Sequence, residues 1–404
     1  MSFALLFCIF LIIGIFYAIN SRRAILFFIF ISITIPSGNA FSSFTYSNGI
    51  YVMDAFFLAI MMITLVRISI LHKIQLSKLE IITLFITFFI FSIYFLFSVY
   101  NMGFEIKKLK ELRPFLMLVE VLVFSIAIRQ ISFNISFNTI SKLAIVAAIS
   151  NLIYFAILFF DIVIPPDIFY ENNSYRYLDL STYFSVYFII HYFFIREKKL
   201  VANSLCQKLA FFLSLLSILI SNSRFLILSL IIALILSNIT TISVFFKRIS
   251  LGFFMILLLI AFSYVIDSTR VYNALSIDAI IVQLSGRYLP AILDIYDMSN
   301  TQRLFGYGIG HYFEIPWFEY RDEIENSNIS IDCAYLTVYV KQGVLGILVL
   351  LLTTKILIRV KNIKHKYTLF IFWGMMFIVS SSFYHVYPFG AILYNSFLEN
   401  NETV

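Results

Sequence analysis

Apolar runs recur along the whole chain, most of them close to the 17 to 25 residues with which an α-helix crosses a roughly 30 Å hydrocarbon layer. They lie near residues 2–19, 24–35, 51–66, 79–100, 114–128, 143–164, 181–195, 208–221, 225–243, 250–266, 335–354 and 367–386, and short polar or basic links separate them. Period-two alternation, the mark of a closed barrel, is missing from them, so they predict helices. The expected fold is therefore all-α: a polytopic membrane protein of about 12 transmembrane helices, a single integral membrane domain over residues 1–404. Only the second run is short for a full crossing.

One long interruption stands out. Residues 267–332, between the tenth and eleventh runs, are polar and rich in aromatics, acids and arginines, and a shorter polar loop covers residues 165–180. Composition makes that interruption matter. With 61% hydrophobic residues, 47 Phe and only 13% charged residues, the 404-residue chain excludes a water-soluble globule and leaves little polar surface elsewhere for chemistry.

The formal charge of +7 comes from 29 Lys and Arg against 22 Asp and Glu, with much of the lysine in short links. That is the bias of cytoplasmic loops and not a nucleic-acid patch, so no nucleic-acid partner is expected. Basic links at residues 196–199, 247–248 and 355–366 belong in the cytoplasm, which leaves loops 165–180 and 267–334 on the outer face. Counting back puts Lys107, Lys108, Lys110 and Arg113 outside too; either an early run does not span, or the cluster stays outside to bind an anion. The first run lacks a basic leader and is followed by Arg22 and Arg23, so it is expected to stay as a span. Cys8, Cys206 and Cys333 have no paired spacing, and no metal or nucleotide-phosphate motif occurs, so neither disulfide, metal nor cofactor is expected.

Charged groups at membrane depth face a protein interior or a wet cavity, which draws attention to Asp54, Glu120 and Arg224. Arg224 follows the polar break Ser221-Asn222-Ser223, where a snorkelling charge at a helix hairpin would also be satisfied. Arg176 sits among tyrosines at the end of the first outer loop. Arg287 opens the Ser285 to Pro290 segment, Arg303 follows, and the glycines of Gly306-Tyr307-Gly308-Ile309-Gly310-His311 predict a tight turn packed against the membrane surface. Asp332 precedes the eleventh run, where an aspartate can cap a helix. Glu314, Glu319, Asp322, Glu323 and Glu325 read as a solvated rim.

Taken in order, Ser223-Arg224, Ser285-Gly286-Arg287, Leu304 to Gly310, Asp332-Cys333-Ala334-Tyr335-Leu336 and Gln342-Gly343-Val344-Leu345-Gly346 resemble the signature of the bacterial O-antigen polymerase and ligase superfamily, with Arg176 in place of its other outer-loop arginine. The resemblance spans residues 176–346. Ligases carry His-Asn where this chain has Asp332-Cys333, so the acidic residue looks more like a polymerase. The resemblance implies a bacterial inner-membrane enzyme that joins polyprenyl-pyrophosphate-linked oligosaccharide repeat units at the periplasmic face, without a metal. It also implies that Arg176, Arg224, Arg287 and Arg303 hold the pyrophosphate, that Asp332 or His311 acts as base, and that membrane lipid, a chain-length regulator and a flippase are partners. A ligase to lipid A core and a polysaccharide flippase or other transporter are the alternatives.

Overall fold

The computed structural model describes residues 12, 21–36, 45–46, 50–51, 76–102, 136–163, 177–197, 204–236, 242–265, 277–314, 327–328, 330–357 and 363–379. Helices dominate them: α1 (Ser21–Thr34), α2 (Lys78–Met102), α3 (Phe137–Phe159), α4 (Leu180–Glu197), α5 (Leu205–Ile220), α6 (Arg224–Leu236), α7 (Ile242–Val265), α8 (Ile277–Asp297), α9 (Asn300–Phe305), α10 (Ala334–Leu357) and α11 (Ile363–Val379). Two small antiparallel hairpins join them: β1 (Thr45–Tyr46) with β2 (Ile50–Tyr51), and β3 (Phe313–Glu314) with β4 (Ser327–Asn328). The expected runs at 2–19, 51–66 and 114–128 lie outside the described residues.

Segments Lys78–Leu96, Phe137–Phe159 and Ala334–Lys355 are long and apolar enough to cross a membrane; Leu205–Ile220, Phe225–Leu236, Arg248–Leu258 and Tyr367–Ile378 are apolar but shorter. Phe85, Phe88, Phe89 and Leu96 point outward from α2. Such a face is stable against hydrocarbon and costly against water. One boundary moves: the expected run 225–243 gives way to α6 ending at Leu236 and α7 starting at Ile242, and Arg248 Nη1 turns back to donate to Leu234 O at 2.7 Å.

Helices α3, α4 and α5 pack through small residues and a buried polar seam. On α3, Ser141, Ala144, Ala148 and Asn151 recur at helical spacing, and Ala210, Ser214 and Ser217 face them from α5, so the backbones approach closely. Asn151 Nδ2 donates to Thr182 Oγ1 of α4 at 3.2 Å and to Ser217, and it accepts from Ser181. Small residues and interhelical hydrogen bonds are the means of joining helices where lipid removes the hydrophobic drive. In α11, Trp373 Nε1 donates to the Tyr187 hydroxyl of α4 at 2.8 Å, and α11 packs along α6.

Helix α10 is broken inside its apolar stretch. Gly343 takes φ 63°, ψ −157°, a conformation open to glycine and strained for other residues. The carbonyls of Val340, Lys341 and Gln342 look for donors that would lie beyond the break, and an unpaired carbonyl at membrane depth costs several kcal/mol, on the order of a lost buried hydrogen bond or more. All three are satisfied from elsewhere. Tyr307 N donates to Val340 O and Gly308 N to Lys341 O, both at 2.9 Å, and the Tyr94 hydroxyl of α2 lies between Phe305 O and Gln342 O, 2.8 Å from the latter. Two glycines make this approach possible. A Cβ on Gly343 would overlap the Leu304 carbonyl and sit 2.7 Å from Arg303 O; one on Gly306, whose φ is +77°, would overlap the Lys341–Gln342 peptide. The glycine turn, expected from sequence as a turn at the membrane surface, packs onto α10 beside its break, where its amides donate to the Val340 and Lys341 carbonyls.

Gly343→Ala is expected to cost more than about 4 kcal/mol, the range of severe backbone and overpacking changes. Tyr94→Phe should cost roughly 1–3 kcal/mol by leaving carbonyls unpaired. Gly374→Ala, where a Cβ would first meet Tyr335 Oη at 4.0 Å, is expected to be close to neutral. Thermal unfolding of the three variants in detergent gives the ranking.

Candidate functional site

Helix α8 is amphipathic and carries Pro290, and it lies across α10 and the β3 strand. Its buried face joins Ala291 and Met298 to Phe313, Ile331, Cys333 and Val340. Tyr288 Oη fixes it to the end of α11 by donating to Ile378 O at 2.9 Å. Two polar pairs flank this apolar patch. Their α8 members, Arg287 and Asp294, are two helical turns apart, about 10 Å along the axis.

In the first pair, Arg287 Nε lies 3.4 Å from Asp332 Oδ2, with side chains 23% and 48% exposed, so solvent and a charged ligand can reach both. The cap expected of Asp332 does not form among the described residues: α10 starts at Ala334, and the carboxylate turns to Arg287 instead, since a full opposite charge outweighs a peptide dipole. Beside them, burial pushes the Cys333 thiol up against two backbone hydrogen bonds, from Leu336 and Tyr335, that pull it down, and the Asp332 charge adds the smallest effect, upward. Burial, with Cys333 and Asp332 adding and Arg287 opposing, also raises Tyr288, which therefore stays a donor at neutral pH.

In the second pair, His311 Nε2 is 2.9 Å from Asp294 Oδ2, with side chains 19% and 26% exposed. The imidazole lies flat on Tyr307, ring centres 4.6 Å apart at 12°, and meets Phe313 edge-on at 5.3 Å. Tyr307 Oη donates to Asp294 O at 3.0 Å, and burial, with the charges of Asp294 and Asp297 adding, raises its phenol so that it keeps that proton. The glycine turn docked on α10 is what delivers both Tyr307 and His311.

Arg303 is exposed in the last turn of α9, whose start is closed by a capping box between Ser299 and Gln302. Arg224 opens α6 directly after a turn in which Asn222 takes φ 45°. Arg176, Trp317, Glu319, Asp322, Glu323, Glu325, Asp54, Glu120 and the 107–113 cluster lie outside the described residues; Glu314 is exposed, as a rim residue should be. The residue after Arg176 is placed: Tyr177 N donates to Ile220 O at 3.5 Å, and Tyr177 Oη donates to the buried Asp179 at 2.8 Å, so the loop's end is tied to the turn before Arg224.

Sequence reasoning missed Asp294 and Tyr94. Asp294 had a signal, its two-turn spacing from Arg287 on one face. Tyr94 had none, because Gln342, its partner, is 248 residues away.

These features define a helical protein with three helices of membrane-crossing length among the described residues and a site where Arg287 meets Asp332 and His311 meets Asp294 beside a broken helix. Residues 22–398 match the model of a family of unknown function (DUF6369), and the chain belongs to that family. No curated protein and no solved structure matches it.

With Cys8 and Cys206 replaced by Ala, maleimide should label Cys333 slowly at pH 7 and speed up only above the ordinary thiol range, because a raised thiol holds its proton longer. Asp332→Asn removes a charge that raises it, so labelling should then begin at lower pH. A rate measured from pH 7 to 10 in both backgrounds checks the sign.

Proposed function

We propose that the protein is a surface-polysaccharide polymerase of the bacterial inner membrane, a multi-pass protein of about twelve spans with residues 267–334 as a large periplasmic loop. It joins oligosaccharide repeat units carried on polyprenyl pyrophosphate. The observation that carries this reading is that the separate motifs of the resemblance meet in space: Arg287 pairs with Asp332, and the Leu304 to Gly310 segment docks on Gln342 and Gly343. Residues that meet only through folding are more informative than a string of motifs in order.

Sidedness follows the charge. Tyr94 meets Gln342 early in α10, while Ile90 packs with Val349 further on, so α2 and α10 run antiparallel. The ends of these helices remote from the site carry Lys78 and Lys355, as cytoplasmic ends do. By the same alternation α2 leads outward, toward the side that carries the site.

In the reaction, an acceptor sugar hydroxyl attacks the anomeric carbon of the donor, and the bond to the pyrophosphate oxygen breaks. Charge builds on the departing pyrophosphate. Guanidinium groups stabilise it through forked hydrogen bonds in the place of a metal, the role assigned to Arg287, Arg224 and Arg176, with Arg303 at the rim. Asp332 and His311 are the groups able to take the hydroxyl proton. Trp317 and the tyrosines offer faces for sugar rings. A chain-length regulator and a flippase are the expected partners.

One observation favours a second reading. Broken helices at membrane depth are typical of secondary transporters, where freed carbonyls coordinate the solute. Here Tyr307, Gly308 and Tyr94 occupy the carbonyls of the break, which supports a structural break over a transport site.

Reporter fusions after Trp317 should give periplasmic-type activity; cytoplasmic-type activity would overturn the assignment of the loop. Deletion of the gene should leave single repeat units on the surface. Chains accumulating on the polyprenyl carrier would indicate a ligase, and an unchanged ladder neither enzyme. Arg287→Ala should reproduce the deletion on gels, and Arg287→Lys should restore little, since a point charge cannot hold two oxygens in one plane.

A further inference from the structure

We infer that His311 is the base that deprotonates the acceptor hydroxyl and that Asp294 is the residue that positions it, an inference that rests on the polymerase reading above. Three contacts fix the imidazole: the Asp294 carboxylate at Nε2 (2.9 Å), Tyr307 against its face (4.6 Å) and Phe313 at its edge (5.3 Å). Asp294 is itself held, because the Tyr307 hydroxyl reaches its backbone carbonyl at 3.0 Å. A surface histidine involved only in packing needs no such frame.

The tautomer follows from the hydrogen bond. A carboxylate only accepts, so Nε2 carries the hydrogen and Nδ1 the lone pair. Among the described residues no group hydrogen-bonds Nδ1. This nitrogen takes the hydroxyl proton as the acceptor oxygen bonds to the anomeric carbon. The bond from that carbon to the pyrophosphate oxygen breaks, polyprenyl pyrophosphate leaves with the electron pair, and the imidazolium then returns its proton to water. Asp294 stabilises the imidazolium without being protonated. Of the two groups able to take the proton, Asp332 is the one that pairs with Arg287, the group for the leaving oxygen, so His311 serves the nucleophile. The two pairs on α8 therefore divide the work: one faces the nucleophile, the other the leaving group.

Membrane vesicles from a deletion strain hold the accumulated lipid-linked units and supply the assay. Wild-type protein added back should lengthen them; if it does not, the polymerase reading falls and this inference with it. Given activity, His311→Ala should slow chain growth by about a hundredfold or more, and Asp294→Asn by at least about tenfold, at equal protein levels and with little change in the donor concentration giving half-maximal rate. Asp294→Glu should regain part of the rate. Added imidazole should rescue His311→Ala and not Asp332→Asn, an effect that loss of packing alone cannot produce. Full activity in Asp294→Asn, or a folded His311→Ala that imidazole leaves inactive, overturns the assignment.

Discussion

A helix long and apolar enough to cross hydrocarbon is costly to interrupt there unless the carbonyls it frees find donors inside the protein, and the break of α10 at Gly343 meets that constraint. The donors come from two directions, the glycine turn after α9 and the Tyr94 hydroxyl of α2. Backbone packs directly on backbone at this point, with the facing chain occupying the space a side chain on Gly306 or Gly343 would need. The docked turn fixes Tyr307 and His311, and with them the α8 face that carries Asp294 and Arg287. The site is as rigid as this contact.

Around that contact the protein separates its tasks. The α3–α4–α5 group is joined by alanines, serines and Asn151, a means of association that works in lipid because it depends on close approach and hydrogen bonds. The α8–α10 layer keeps its charged groups half exposed beside an apolar patch. Partial exposure is the compromise a charged site needs: burial strengthens its electrostatics, while access to water keeps the charges affordable and admits a polar substrate.

On the proposed function, the arrangement of charges also bears on the transfer of a sugar from pyrophosphate. Arg287 and Asp332 form a pair that an incoming phosphate oxygen can approach, because both side chains are partly exposed. His311 and Asp294 form a pair that an incoming hydroxyl leaves intact, because the imidazole presents its other nitrogen. Two helical turns on one amphipathic helix hold the groups at a separation suited to the two sides of a sugar linkage.

Much of the fold was legible in the sequence because apolar runs of spanning length have one stable form in lipid, and helices α2, α3 and α10 appear where those runs lie. The polar stretch after residue 267, with Arg287, Asp332 and His311 in or beside it, stood out too, since charge is scarce in such a chain. Composition also showed the glycines, though not their purpose: a GxGxG segment reads as a turn until its backbone amides are seen to donate to Val340 and Lys341. Only the tertiary structure decided which charge meets which. Local sequence offered Asp332 as a cap and His311 as the end of a glycine turn, and folding gave each a partner from α8, because the docking of that helix on α10 brings Arg287 and Asp294 to them.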